Sequence, residues 1–248
     1  MIPYIRRNKI LEILNNNDIV TIDNIQKSIP TVSISTIRRD LKELENEKKV
    51  ILLTGGAVKL YSSGIDLPIS EKVEKSKEQK RMIASIVSKL VRDGEIIYLD
   101  SGTTCTVIAE ELKDRKITIV TSNISITNIA FNNAEVISLG GIINSQIASL
   151  YGPITDTNLK LFNFDKAFVG TTGIDISMGV STPNLFEANK KSIVKDIAKK
   201  CYVVCDSSKF HQGALINAFD INECTIISDT YDEKIASITN MLVPEKYI

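Results

Sequence analysis

The chain has 248 residues, 43% of them hydrophobic and 24% charged, and carries no formal net charge at neutral pH. That length suits two domains, and the composition suits a folded chain with a real core. The charge balance argues against blanket binding to polyanions, and the apolar runs are too short for a membrane span.

The start, "MIPYIRRNKI", has no apolar signal segment, so the protein is expected to stay in the cytoplasm. Ile10, Ile13 and Leu14 define a first helix. Thr21 stands as an N-cap with Asp23 in the first turn, and Ile22, Ile25 and Ile29 define a second helix that Pro30 stops. Ser33 caps a third, "ISTIRRDLKELE", where Ile34, Ile37, Leu41 and Leu44 form one apolar stripe. At about 100° per residue, Arg39 lies nearly opposite that stripe, with Ser35 and Lys42 beside it. "VILLTGGAVKLY" reads as two short strands around Gly55-Gly56. Three helices and a β-hairpin, with a short turn between the second and third helices, have the order of a winged helix-turn-helix over residues 1–60. This unit holds ten Lys/Arg and seven Asp/Glu, a small positive excess that the rest of the chain offsets.

A polar stretch with Gly64 and Pro68 makes 61–76 the connection to a second domain, 77–248, which opens with a helix running to about Arg92. Strand-like runs follow at 95–100, 117–122, 135–140, 166–170, 201–206 and 224–229, with helix-like segments between most of them at 104–113, 123–132 and 185–199. That alternation predicts a mostly parallel sheet covered by helices on both faces. Cys105, Cys201, Cys205 and Cys224 form no C-x-x-C pair and His211 is the lone histidine, so buried thiols are expected, and neither a metal nor a cofactor.

In open α/β sheets ligands sit beyond the carboxyl ends of the strands. Here five such ends run into "DSGTT", "TSN", Gly140-Gly141, "GTTGID" and "DSSKF". In "DSGTT", Asp100 and Ser101 lead to Gly102, which allows a tight turn, and Thr103 and Thr104 open the next helix, whose free amides and dipole favour a phosphate. Lys209 is positioned to supply countercharge, and Asp175 and Glu187 to accept hydrogen bonds from sugar hydroxyls. Neither a Walker loop nor a dinucleotide fingerprint is present.

"VSISTIRRDLKELE" followed by "LLTGGAV" resembles the DNA-binding half of the DeoR-type bacterial transcriptional regulators. "YLDSGTT", "VTSN", "LGG", "FVGTTGID" and "DSSKF" resemble the sensor half of the same family, in the same order. The resemblance implies a winged helix that reads operator DNA, joined to a larger α/β sensor domain similar in fold to ribose-5-phosphate isomerase. It also implies that a phosphorylated sugar or related metabolite binds there, with Ser101 to Thr104 and Lys209 on the phosphate and Asp175 and Glu187 at the sugar. The chain departs from the family at the wing. An arginine and a histidine usually stand just ahead of Gly-Gly-Ala, and Leu52 and Thr54 stand here, leaving Lys48, Lys49 and Lys59 to compensate.

These readings converge on a repressor of sugar or polyol genes that assembles as a homo-oligomer to match DNA half-sites. Arg38 and Arg39 would reach base edges, and Ser33, Ser35, Thr36 and Lys42 would hold phosphates. The alternative is a sugar-phosphate isomerase or deaminase with Asp175 and Glu187 as acid and base. Against it stand the basic helix-turn-helix and the lack of an evident further basic residue at the sensor site. A third reading keeps the DNA-binding half and leaves the sensor pocket vestigial.

Overall fold

Apolar residues at three- and four-residue spacing build the first unit of the chain. A computed structural model describes residues 2–15, 17, 19–46, 50–53, 55–60 and 68–244. It divides into two compact units, residues 1–63 and 64–248. In the first, α1 (Pro3–Asn15) is followed by β1 (Val20–Thr21), α2 (Ile22–Ser28) and α3 (Ile34–Asn46), then β2 (Val50–Leu53) and β3 (Ala57–Leu60). Ile10 and Leu14 of α1 meet Ile25 of α2 and Ile37, Leu41 and Leu44 of α3 in one core. β3 is the central strand of a three-stranded antiparallel sheet, with β2 on one side and β1 on the other. The Thr21 hydroxyl accepts from the Asn24 amide and the Ser33 hydroxyl from the Thr36 amide, so both expected N-caps are made. A buried clamp joins α1 to α3: Arg6 bonds Asp40 through two guanidinium nitrogens, one at 2.9 Å, and Asp40 is buried. Lys48, Lys49, Thr54 and residues 61–67 of the connection lie outside the described residues.

The second unit begins with α4 (Ile69–Glu74) and α5 (Lys77–Leu90). Next come β4 (Ile96–Leu99), α6 (Thr103–Glu111), β5 (Thr118–Thr121) and β6 (Glu135–Ser138), then a hairpin of β7 (Ile142–Asn144) and β8 (Ser149–Tyr151). They are followed by α7 (Pro153–Leu159), β9 (Lys166–Gly170), β10 (Gly173–Asp175), β11 (Gly179–Thr182), α8 (Leu185–Ile197) and β12 (Cys201–Val204). The unit closes with β13 (Ile216–Phe219), β14 (Thr225–Ile227), α9 (Glu233–Ala236) and β15 (Met241–Leu242). Seven strands form one sheet in the order β15-β14-β12-β9-β4-β5-β6, with every pairing parallel. One face is covered by α5 and α6 through Ile83, Val87 and Ile108, and the other by α7, α8 and α9 through Leu159, Val194 and Ile235.

Two features differ from the pattern expected of the sequence. Residues 123–132 hold only a 3₁₀ turn, Ile124–Asn128, in place of a helix. The Ile124 amide bonds Ala148 O and the Leu150 amide bonds Ser122 O, so this stretch is tied to the β7–β8 hairpin. Its β-branched Ile124, Ile126, Thr127 and Ile129 also favour helix weakly. Second, β10, β11 and β13 form a separate antiparallel sheet, which the parallel pattern did not foretell.

Candidate DNA-reading face and sensor site

On α3, Ser33, Ser35, Arg38, Arg39 and Lys42 are exposed and Thr36 is half-buried. Among the described residues, the charged groups of Arg38, Arg39 and Lys42 have no ion-pair or hydrogen-bond partner. The Ser33 hydroxyl lies 3.0 Å from that of Ser35 and 2.9 Å from that of Thr36, which gathers three hydroxyls at the helix start. By contrast Glu43 of the same helix is paired with Arg7 of α1, at 2.7 Å. In the wing, Leu52 is half-buried and its amide bonds Glu45 Oε1 at 3.1 Å.

The sensor site follows from topology. The chain runs from β4 to β5 and β6 on one side, then returns to place β9 on the other side of β4. The loops leaving β4 and β9 lead to opposite sides of this switch point, the place where open α/β sheets bind ligands. Asp100, the first residue after β4, is fully buried. Its Oδ1 accepts from the Ser101 amide at 2.9 Å and the Tyr98 hydroxyl at 3.2 Å, and its Oδ2 from the Gly170 amide at 3.2 Å and from Lys191 Nζ. Asp100 thus pins these two loops together.

Gly102 has φ +119°, a conformation that favours glycine, and α6 begins there without a side-chain cap. The first α6 amide with a partner is that of Thr106, on Gly102 O, which leaves the amides of Thr103, Thr104 and Cys105 unbonded among the described residues. Asn123, after β5, donates to Asp100 O, Gly102 O and Thr106 Oγ1 at 3.1–3.3 Å and fixes this turn from the side.

Glu187, in the first turn of α8, is 3% exposed. Its Oε1 accepts from Ser149 at 2.7 Å and Lys190 at 2.9 Å, and its Oε2 accepts from Ser101 at 2.9 Å. Both oxygens are thus engaged by protein groups. Lys190 is fully buried and also bonds Ser149 Oγ at 2.8 Å and Leu150 O at 3.1 Å. Burial alone would push the Glu187 carboxyl up; the ammoniums of Lys190 and Lys191 outweigh it and bring it down to about 2. Burial works against charge on Lys191 too, and Asp100 and then Glu187 reverse the sign, raising it. Burial and the Asp100 charge together raise the Tyr98 hydroxyl. Two carboxylates and two ammoniums form a closed, neutral set.

These lysines correct the sequence reading, in which the site had no evident basic residue beyond Lys209. Tyr98, Ser122, Asn123 and Ser149 are further additions, the Tyr98 and Ser122 hydroxyls lying 2.9 Å apart. Asp100, Ser101, Gly102, Thr103 and Thr104 are consecutive after β4, and Glu187 joins them through its bond to Ser101. Lys209 sits in the 3₁₀ turn after β12, half-buried and within electrostatic reach of Lys80. Among the described residues its ammonium has no hydrogen-bond or ion-pair partner. Asp175 lies beside the turn that carries Lys209, since Ile174 bridges to Phe210. It pairs with Gly179 at the turn of the β10–β11 hairpin and accepts from the Ser177 amide at 2.9 Å and hydroxyl at 2.6 Å. Those bonds hold its carboxyl below the usual range, and no hydrogen bond links it to Asp100 or Glu187 among the described residues. The four cysteines are free and, among the described residues, no group of acidic, His and Cys side chains could hold a metal ion. No helix among the described residues is long and apolar enough to cross a membrane.

A winged helix-turn-helix with an exposed cationic face, carried with a parallel α/β unit whose strand order reverses between β4 and β9, has the architecture of a DNA-binding regulator with a small-molecule sensor. The family of the DeoR-like helix-turn-helix domain matches residues 6–63, and that of the DeoR C terminal sensor domain matches residues 75–230. The chain belongs to the DeoR family of transcriptional regulators. Over 242 residues it is 31% identical to the HTH-type transcriptional regulator GlpR of Haloferax volcanii, covering 94% of each chain. It is 28% identical to the HTH-type transcriptional regulator IolR of Bacillus subtilis, over 84% of this chain and 85% of that one. Among solved structures, ribose 5-phosphate isomerase from Methanocaldococcus jannaschii aligns over 55% of each chain with 18% identity and a TM-score of 0.41. The chain is thus a regulator, and the enzyme alternative is set aside.

Proposed function

We propose that the protein is a repressor of sugar or polyol metabolism genes, released from its operator by a phosphorylated sugar bound at the switch point between β4 and β9. Arg39 and Arg38 reach base edges, because a guanidinium fork bonds guanine O6 and N7 together. Ser33, Ser35, Thr36 and Lys42 hold backbone phosphates and fix the register. What supports this is the set of α3 cations without protein partners on the face opposite the buried stripe.

The effector's phosphate rests on the amides of Thr103 and Thr104, with Gly102 admitting close approach and the Ser101 and Thr104 hydroxyls beside it. Lys209 supplies the countercharge. Asp100 and Glu187 act through the groups they hold, Ser101 and Lys191, while Asp175 keeps the β10–β11 turn. The observation that carries this reading is the run of unbonded amides at the start of α6, placed where the strand order reverses.

A ligand that binds only the folded state raises its stability by RT ln(1 + [L]/Kd), about 2.7 kcal/mol at a hundredfold excess over Kd. A thermal-shift panel of phosphorylated sugars and polyols, with inorganic phosphate as the control, tests it. A raised midpoint with at least one phosphorylated compound is expected, along with a weaker response in Lys209→Ala. A flat panel, or equal binding by Lys209→Ala, overturns the phosphate assignment.

A further inference from the structure

We propose that the β7–β8 hairpin and the start of α8 form the face through which two copies of this chain associate. Residues 136–155 contain no Asp, Glu, Lys or Arg; at the 24% average of the chain, such a segment would carry about five. Charge is depleted in the cores of protein–protein interfaces in this way. The outward side chains are apolar instead: Ile142, Ile143 and Ile154 are 52%, 65% and 62% exposed, with Leu185 and Phe186 at 65% and 49%.

These groups adjoin one another. Ile142 pairs with Tyr151 across the hairpin, and the Tyr151 ring lies 5.1 Å from that of Phe186. Ile143 projects from the opposite face of the same two-stranded arm, so the hairpin is apolar on both sides. β8 bonds back to residues 122–124, which leaves β7 as the outer strand of the arm. An outer strand without charge or proline is open to pairing. Leaving out Ile143, which faces the other way, the remaining four side chains present on the order of 400 Å² of apolar surface, within the range of a monomer's largest patch. That is about half of the roughly 800 Å² that each partner of a standard interface buries.

The occupant is a second copy. A helix-turn-helix regulator reads paired half-sites, which requires two copies of α3, and an isologous two-fold contact sets one patch against itself. An uncharged patch meets its own image without like-charge repulsion. The face also adjoins the sensor site: Ser149, at the base of the hairpin, bonds Glu187, and Lys190 bonds Leu150 O. That connection rests on the effector reading above, whereas the association itself does not.

Sedimentation velocity of the full chain at micromolar concentration, with no metabolite added, tests the proposal. The expected result is an even-numbered assembly for the unaltered chain and half that mass or less for Ile142→Lys and Leu185→Lys. Both positions are largely exposed, so folding is retained, as circular dichroism would verify. Ile238→Lys, on the segment leading into β15 at the far edge of the sheet, should leave the mass unchanged. A monomeric unaltered chain, an unchanged mass in both hairpin-face variants, or an equal loss in Ile238→Lys overturns the assignment. Because no effector is present, failure here is separable from failure of the sensor reading.

Discussion

Replacing Glu187 with Gln removes one of four buried charges while nearly preserving shape. Asp100, Glu187, Lys190 and Lys191 are 0%, 3%, 0% and 5% exposed, so none of the remaining charges can recover solvation without opening the site. Lys190 loses its nearer carboxylate, at 2.9 Å, and keeps Ser149 Oγ, Leu150 O and the Asp100 carboxylate 4.0 Å away. Breaking one side of a buried pair costs about 3–5 kcal/mol, because the partner charge is left uncompensated. For a unit of this size that lowers the melting midpoint by roughly 6–20 °C. Urea denaturation followed by circular dichroism measures it, and a double-mutant cycle with Lys190→Met isolates the cause. The double variant should lose less than the sum of the single ones by about 2 kcal/mol or more. The pH dependence has a definite sign. The Glu187 carboxyl is lowered from 4.5 to about 2, so its contribution is present above about 4.5 and lost as pH falls from there towards 2. The gap between the unaltered chain and Glu187→Gln should therefore close over that interval. A cost below about 1 kcal/mol, or strictly additive single variants, would refute the argument that the charges stabilise one another.

Arg39→Ala should relax sequence preference and cost about 1–3 kcal/mol at the contacted base pair in gel shifts on duplexes selected from a random pool; unchanged preference removes Arg39 from base readout. Lys42→Ala should weaken binding to all sequences alike and reduce the salt slope by about one, and a base-specific loss would move it off the phosphates. Gly141→Ala should destabilise the sensor unit in thermal melts. Its φ is +120°, and a Cβ there would lie 2.1 Å from Thr155 Oγ1 and 2.8 Å from Tyr151 O. A melt like that of the unaltered chain would show that this approach is not tight. Burial raises the thiols of Cys105, Cys205 and Cys224, and holds Cys201 at about 12, so maleimide labelling at pH 7.5 should be slow until the chain is unfolded. Fast labelling of native Cys105 would contradict its burial.

The elements that could be read along the chain are those whose burial is one-sided or complete. In α3 the stripe of Ile37, Leu41 and Leu44 became a buried face, and every strand of the parallel sheet except β15 fell within an apolar run. Pattern was silent where segments are short and held by partners from elsewhere. The β7–β8 hairpin has only three residues per strand, and the β10–β11–β13 sheet draws on segments separated by α8 and β12. Residues 69–74, polar enough to pass for a connection, form α4. Its first amide bonds Gln146 O, and the Lys80 ammonium bonds the carbonyls of Lys72 and Lys75, each at 2.5 Å. None of these contacts has a local signature.

The sensor site divides along the same line. Glycine and hydroxyl residues after a strand announce a turn and a helix start, so "DSGTT" was visible in one dimension. Lys190 and Lys191 were not, because "NKKS" on a helix reads as a solvated face, where lysine almost always lies. Their burial is intelligible only with Asp100, some 90 positions earlier, and Ser149, some 40 positions earlier, in place. An ammonium is tolerated inside a fold when its full set of acceptors arrives with it. Here those acceptors come from the loop after β4, from β8 and from α8 itself, so the charge set assembles only once the hairpin has closed against the sheet. The groups hardest to see in the sequence are for that reason the ones that make the loop after β4, the hairpin and α8 a single structure.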